Sequence, residues 1–352
     1  MIDLYAQSEA DLEALLRSWG EPAFRARQVR AWLYDKGARD VAEMTDLPKV
    51  LRERLAAEAT LGTLTVVDEQ QSADGTRRRL YRLHDGRLVE SVLMPYADGR
   101  RTACISTQAG CAMGCVFCAT GQMGFGRHLS STEIVEQALR FATELIAVGE
   151  RLSNVVLMGM GEPFHNYDAS VAALRRLQSD LGIGARHLTV STVGLVPEIR
   201  RFAEEGMQVT LAISLHEVED AARSRLMPIN RRWPLAELVE ACRHYVDRTG
   251  RRITFEWALI AGRNDDEQTA ARLGALLRGL SCHVNLIPLN PTGAYDGLPT
   301  DPDQVARFVA VLQRHGVPAT VRVRRGIDID AGCGQLTERH LRRAEGEAST
   351  PA

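Results

Sequence analysis

The chain has 352 residues, more than one average domain and enough for one barrel with an appendage. With 45% hydrophobic and 25% charged residues it has a soluble globular composition, and no apolar run approaches the ~18 residues of a membrane span. The formal net charge of −2 argues neither for nor against RNA binding, which needs only a local basic face. The N-terminus, MIDLYAQSEADLEALL, is acidic and unlike a signal peptide. With clustered cysteines this makes a reducing cytoplasm the expected compartment.

Residues 1–62 read as a small helical unit. Ser8 can cap a helix with Asp11 in its first turn, and Leu12, Leu15, Leu16 and Trp19 share one apolar face. Gly20 ends it. Pro22 opens a second helix carrying Arg25, Arg27 and Arg30 that stops near Gly37, and a third spans about 48–57. Residues 63–96 change to short strands, TLTVVDEQ, RRRLYRL and RLVESVLMP, with turns at Asp74-Gly75 and Asp85-Gly86. This predicts a short antiparallel sheet linking the helical unit to the main domain. Arg77, Arg78 and Arg79 in it are candidates to meet phosphates, although alternation on an exposed strand explains two of them.

From Arg101 the pattern alternates. Strand-like TACIST, NVVLMG, HLTVST, QVTLAISL, ITFEWALI, HVNLIPL and ATVRVR are separated by amphipathic stretches at 131–148, 167–180, 197–205, 235–249, 265–280 and 302–315. Repeated strand–helix units with apolar strands predict a parallel sheet under helices, over residues 97–340. In such sheets ligands gather at the strand C-termini. Residues 341–352 read as a flexible tail.

The chemistry concentrates in TACISTQAGCAMGCVFCATGQMGFGR, residues 102–127. Cys111, Cys115 and Cys118 form a C-x3-C-x2-C array, with Cys104 seven residues upstream. Close-set thiols in a reducing compartment read as metal ligands. Zinc and cubane clusters normally take four protein ligands, so three leave one metal position open; a zinc site completed by Cys104 or His128 is the alternative. The second strand runs into MGMGEPFHNY, whose glycines let the backbone approach a ligand. Ser191 ends the third strand, Ser214-Leu215-His216 the fourth, and Asn290 the sixth. Taken singly, such residues are caps or turns; their shared location at strand ends marks a site. Cys333 sits between two glycines in RGIDIDAGCGQL, unlike Cys242 and Cys282, which read as small buried apolar residues.

The C-x3-C-x2-C array with its aromatic and glycine flank resembles the signature of radical S-adenosylmethionine (SAM) enzymes. CVFCATGQMGFGR, GMGEP and RGIDIDAGCGQL together resemble the RlmN-like radical SAM adenine C2 methyltransferases of large-subunit ribosomal RNA and tRNA. GEPAFRARQVRAWLYDKG resembles that family's N-terminal accessory domain. The resemblance implies a partial (β/α)6 barrel extended by a seventh strand. It also implies a 4Fe–4S cluster on Cys111, Cys115 and Cys118, and SAM held by Gly161, Glu162, Ser191, Ser214, Leu215, His216 and Asn290. The family's two leucines after GMGEP are replaced by Phe164 and His165, which leaves that wall of the pocket open.

In the implied reaction two SAM molecules are used per turnover. One methylates Cys333, and the other yields the radical that activates this methyl group for addition to adenine carbon 2. Glu90 matches the family's proton acceptor, across a one-residue insertion within MPYADGRR, and Cys104 matches the partner that releases the product by forming a disulfide with Cys333. The implied substrates are an adenosine of 23S rRNA in the peptidyl transferase centre and the adenosine 3′ of the tRNA anticodon. A one-electron reductant such as flavodoxin or ferredoxin would feed the cluster of a monomeric enzyme, away from any membrane. Methylation at carbon 8, or a non-catalytic zinc-stapled RNA-binding protein, are the rival readings.

Overall fold

Apolar strands and amphipathic helices assemble, in a computed structural model, into a ten-stranded sheet whose strand order follows the chain. The structure describes residues 1–336; the tail expected at 341–352 lies outside the described residues. Among the described residues no helix is long and apolar enough to cross a membrane.

The helical unit comes first. α1 (Glu9–Ser18) starts at a capping box in which Ser8 and Asp11 satisfy each other's backbone amides. α2 (Phe24–Arg30) runs on as a π-helical turn to Asp35, and α3 (Lys49–Glu58) comes next. Leu12, Leu16, Val29, Leu33, Leu51 and Leu55 form a core of their own, which also takes in Leu139 from the main body.

Four antiparallel strands then open the sheet: β1 (Thr65–Gln71), β2 (Arg77–Arg82), β3 (Leu88–Pro95) and β4 (Arg101–Cys104). From β4 onward the pairing is parallel, through β5 (Asn154–Leu157), β6 (Leu188–Thr192), β7 (Thr210–Ser214), β8 (Ile253–Leu259), β9 (Cys282–Pro288) and β10 (Ala319–Val321). These are the seven strands expected of the extended partial barrel. The linker strands are thus continuous with the barrel sheet, because β3 pairs directly with β4.

The crossovers carry α4 (Ser131–Ala147), α5 (Tyr167–Ser179), α6 (Val196–Ala203), α7 (Asp220–Leu226), α8 (Leu235–Thr249), α9 (Glu267–Leu276) and α10 (Pro302–Arg314). Val155, Leu188, Val190, Leu211, Ile213, Phe255, Trp257, Val284 and Leu286 are fully buried beneath them. Each such side chain contributes roughly 1.5–3 kcal/mol on leaving water.

The arginine run on β2 does not face phosphates. β2 is an interior strand, so Arg78 and Arg79 are buried. Arg79 pairs with Glu144 at 2.8 Å and with Glu69, and Arg77 pairs with Glu144 at 2.8 Å. Neighbouring carboxylates have already taken the charge that a phosphate would need.

Candidate active site

The cysteine loop is carried by a hairpin that pairs Gln108–Gly110 with Phe125–His128, directly after β4. The Cys111 amide donates to Gly124 O at 2.8 Å, the Val116 amide to Leu226 O at 3.0 Å, and the Ala119 amide to Gly334 O at 2.7 Å. The last bond ties the loop to the segment holding Cys333. A Cβ at Gly121 would stand 2.9 Å from the Cys115 carbonyl oxygen, so only glycine lets the loop close this tightly. Cys111 and Cys115 are buried and Cys118 half-buried. Burial pushes all three thiols upward, Cys111 to about 12, and the charges of neighbouring cysteines push Cys111 and Cys115 further.

The strand C-termini enclose a cavity of about 170 Å³. Cys118, Gly161, Glu162, Ser191, Ser214, His216, Asn290 and Cys333 all line it. Gly161 has φ +99°, and a Cβ there would stand 2.5 Å from Gln108 Cβ. Glu162 is buried; its carboxylate accepts from the Phe164 amide at 3.0 Å and the Val193 amide at 2.8 Å. Burial lifts its carboxyl to about 7. Asn290 donates through Nδ2 to Cys333 O at 3.2 Å, while its buried Oδ1 has no partner among the described residues. Leu215 is buried and lines no described cavity, and its carbonyl accepts from Arg223 Nε at 3.0 Å. The open question of Phe164 and His165 also resolves. Phe164 is buried against Tyr167 and Phe202, while the Gln108 side-chain amide lies 3.0 Å from His165 Nδ1 and from His128 Nδ1.

A second cavity, of about 130 Å³, adjoins the first and shares Cys118, Asn290 and Cys333 with it. Cys104, Tyr96, Arg322, Arg324 and Arg325 also line it. Cys104 and Cys333, 229 positions apart in the sequence, therefore meet one space. Burial raises the Cys104 thiol to about 12, and the Arg322 guanidinium pulls against that rise; Cys333 is likewise raised by burial and lowered by Arg322. Taken as a whole residue Cys333 is the exposed cysteine of the described set, while its sulfur lies within the protein beside the two cavities that the residue lines. The Cys104–Cys333 disulfide is not formed here, since all seven cysteines are free thiols. Glu90 lines neither cavity. It is fully buried, 3.9 Å from Arg78 Nε, on the same face of β3 as the cavity-lining Val92 and Met94.

Three contributors escaped the sequence reading. Glu256 lines the first cavity and pairs at 3.6 Å with Arg322 of the second. A carboxylate in the otherwise apolar ITFEWAL was its signal. Arg223 is fully buried and donates to the carbonyls of Val193, Ser214 and Leu215 and to Asn230 Oδ1. Nothing in its helical context announced this. Tyr96, stacked between the guanidinium groups of Arg100 and Arg325, is the third.

This donor set fits an iron–sulfur cluster with SAM beside it. Three thiols on one loop turned away from solvent supply sulfur donors for such a group, and the unpartnered Asn290 Oδ1 offers an acceptor to a ligand donor. Among the described residues no group of three or more His, Cys, Asp or Glu is drawn together as for a single metal ion. A cubane cluster is wider than one ion and takes its ligands farther apart.

Comparison with known proteins points the same way. Residues 105–273 match the family model of the Radical SAM superfamily, and residues 2–61 that of the ribosomal RNA large subunit methyltransferase N-terminal domain. The dual-specificity RNA methyltransferase RlmN 1 of Myxococcus xanthus is 52% identical over 348 residues, covering 97% of both chains. The probable dual-specificity RNA methyltransferase RlmN of Chloroflexus aurantiacus is 51% identical, covering 96% of this chain and 93% of its own. A radical SAM methyltransferase from Sphaerobacter thermophilus superposes with a TM-score of 0.91 at 50% identity, covering 96% of this chain and 99% of its own. The chain belongs to the radical SAM superfamily and, within it, to the RlmN family.

Proposed function

We propose that this chain methylates carbon 2 of an adenosine in 23S rRNA, and the adenosine 3′ of the tRNA anticodon, through an S-methylated Cys333. One observation carries the reading: Cys333 is a wall of two adjoining cavities, of which the reading assigns one to SAM and the other to the target base.

Cys111, Cys115 and Cys118 would hold the cluster, which when bound with SAM would supply a 5′-deoxyadenosyl radical. Glu162 and the backbone at Gly161 receive the amino group of SAM; Ser191, Ser214, Leu215, His216 and Asn290 complete its surroundings. Adenine carbon 2 is electron-poor and refuses a polar methyl transfer, so the protein itself carries the methyl group. The Cys333 thiolate, steadied by Arg322, takes a methyl from one SAM. That carbon would give a hydrogen atom to the 5′-deoxyadenosyl radical, forming 5′-deoxyadenosine, and bond to carbon 2 of the adenine in the second cavity; the ring radical so formed would lose one electron, which the bound cluster would accept. The ring proton leaves to Cys104, which lines that cavity, or through Glu90 behind Val92 and Met94. The Cys104 thiolate, its proton passed on, then attacks the Cys333 sulfur; the carbon–sulfur bond breaks, the departing methylene carbon takes up a proton to become the methyl group of the freed RNA, and a disulfide is left for external reduction. An adenosine must leave its stack to enter, and a flavodoxin or ferredoxin supplies the electrons to a monomer in the cytoplasm.

The test is anaerobic reconstitution, to about four irons and four sulfides per chain, followed by incubation with SAM, reductant and unmodified RNA. Mass spectrometry of the digested RNA should place the methyl on carbon 2. A methyl on carbon 8, or stoichiometric zinc without SAM cleavage, refutes the reading.

A further inference from the structure

Between Cys111 and Cys115 the chain comes to the surface, with Ala112 exposed and Met113 half-buried. These two residues form one wall of a shallow depression of about 370 Å³; Pro228, Ile229, Arg231 and Arg232 form the rest. The walls are joined beneath, because the Val116 amide donates to Leu226 O and Cys115 packs with Leu226 and Met227 in one apolar cluster. On the opposite side Cys118 faces the two inner cavities. The depression is therefore the outer face of the cysteine loop.

Its chemistry suits a protein partner of one charge type. Met113, Pro228 and Ile229 make an apolar centre, and no lining residue is acidic. Arg231 and Arg232 are exposed and enter no ion pair among the described residues. The Arg232 guanidinium lies 4.7 Å from the centre of the Trp233 ring, which holds the cation at the rim. An apolar centre with an arginine rim is the composition of a protein–protein contact. Unpaired rim cations steer an acidic partner and set its on-rate, and transient redox encounters use small surfaces of this kind. Electron transfer slows steeply with distance, so a donor gains most by docking where the ligand loop itself is exposed. The mouth of the second cavity, with Tyr96, Arg322, Arg324 and Arg325, shares no residue with the depression.

We propose that this depression is the docking site for an acidic one-electron carrier protein of flavin or iron–sulfur type, which reduces the cluster across Ala112–Met113. The inference rests on the cluster assigned to Cys111, Cys115 and Cys118. In the step the carrier loses one electron and the cluster gains it, with no bond formed and no proton moved.

The experiment compares the reconstituted wild-type enzyme with R231E/R232E by stopped-flow reduction, using reduced flavodoxin or ferredoxin and, separately, dithionite. The variant should lose about tenfold or more in second-order rate with the protein carriers at low salt. Iron content and dithionite reduction should not change. The wild-type advantage should vanish at ~0.5 M salt, where screening shortens to a few ångströms. Should the charge-reversed protein take up no iron, R231Q/R232Q serves for the same comparison with a loss of about threefold. Equal carrier rates in wild type and variant at full iron content overturn the docking site. Weakened RNA binding with unchanged carrier rates overturns it too, and assigns the patch to RNA. A wild-type protein that binds no iron refutes the cluster reading itself.

Discussion

Cys333 reaches both cavities because its loop is bonded into both walls, through Asn290 to its own carbonyl and through the Ala119 amide to that of Gly334. Replacing the thiol should therefore leave the cluster intact. Cys333→Ala is expected to keep about four irons and to lose methyl transfer, whereas Cys104→Ala should accumulate a protein–RNA crosslink visible on a denaturing gel. Rapid product release from Cys104→Ala would end its assignment as the resolving thiol. His216 shows how a single residue can be fixed by its surroundings. It adopts φ +58°, its Nδ1 accepts from the Ala258 amide at 2.9 Å, and its carbonyl accepts from Asn264 Nδ2 at 2.8 Å. Burial, aided by the charge of Arg223, lowers its imidazole to about 3 against an ordinary 6.5. The unfolded chain thus takes up a proton below pH 6.5 that the folded one refuses. The stabilisation this gives is whole above pH 6.5 and is lost as pH falls towards 3. Urea unfolding of the apo-protein should show wild type losing about 2 kcal/mol more between pH 7 and pH 5 than His216→Asn, which tolerates the same left-handed backbone.

Among the elements, the β1–β2 turn stands out because it grips the loop of Cys333 from the far end of the sheet. Ser72 Oγ donates to Asp328 Oδ1 at 2.5 Å, the Ala73 amide to Asp328 Oδ2 at 3.1 Å, and the Gly326 amide to Asp74 Oδ2 at 3.2 Å. Arg78 adds a bond to Asp330 O at 3.4 Å. A strand run that looked like a phosphate-facing surface is thus partly a brace for Cys333. Asp328→Ala should speed hydrogen exchange across residues 326–333 and lower methyl transfer about tenfold, since small misplacements of a reacting group are costly. Iron content should stay constant. Unchanged exchange in that segment would show that the clasp carries no weight.

Over the whole molecule, the helical unit is fastened to the barrel by part-buried polar contacts, Arg30 with Asp180 at 3.0 Å among them. Arg176 of α5 donates to Tyr5 O at 2.6 Å, Tyr34 Oη at 3.3 Å and Thr132 Oγ1 at 3.1 Å, and it pairs with Asp180 at 3.0 Å. Glu136 of α4 takes the amides of Thr63 and Leu64 at 2.9 and 3.0 Å. Arg176→Ala leaves the Tyr5 carbonyl short of a donor, while the Asp180 carboxylate keeps Arg30 at 3.0 Å. It should cost about 2 kcal/mol, with exchange rising first in residues 1–61. A uniform loss across the chain would mean that the two parts unfold together.

Much of this architecture was legible in the residue order because its signals are local. Alternation between apolar strands and amphipathic stretches marks β4 to β10, the capping pair Ser8–Asp11 marks α1, and the spacing of Cys111, Cys115 and Cys118 marks the ligand loop. The strand-end residues from Gly161 to Asn290 were readable for the same reason, since parallel sheets present ligands at one edge. What lies in no local signal is which distant groups share one space. The tertiary structure decided that Cys104 and Cys333 face a common cavity, that Glu256 and Arg322 pair between the two chambers, and that Arg223 is buried among carbonyls. It also decided that Arg78 and Arg79 lie inside, because an arginine run reads alike on an edge strand and an interior one until its neighbours are known. The ligand loop was set by composition and spacing. The meeting of Cys104 and Cys118 with Cys333 depends on the tertiary fold of the open sheet, which brings the loop after β10 to the cavity that Cys104, at the end of β4, also lines.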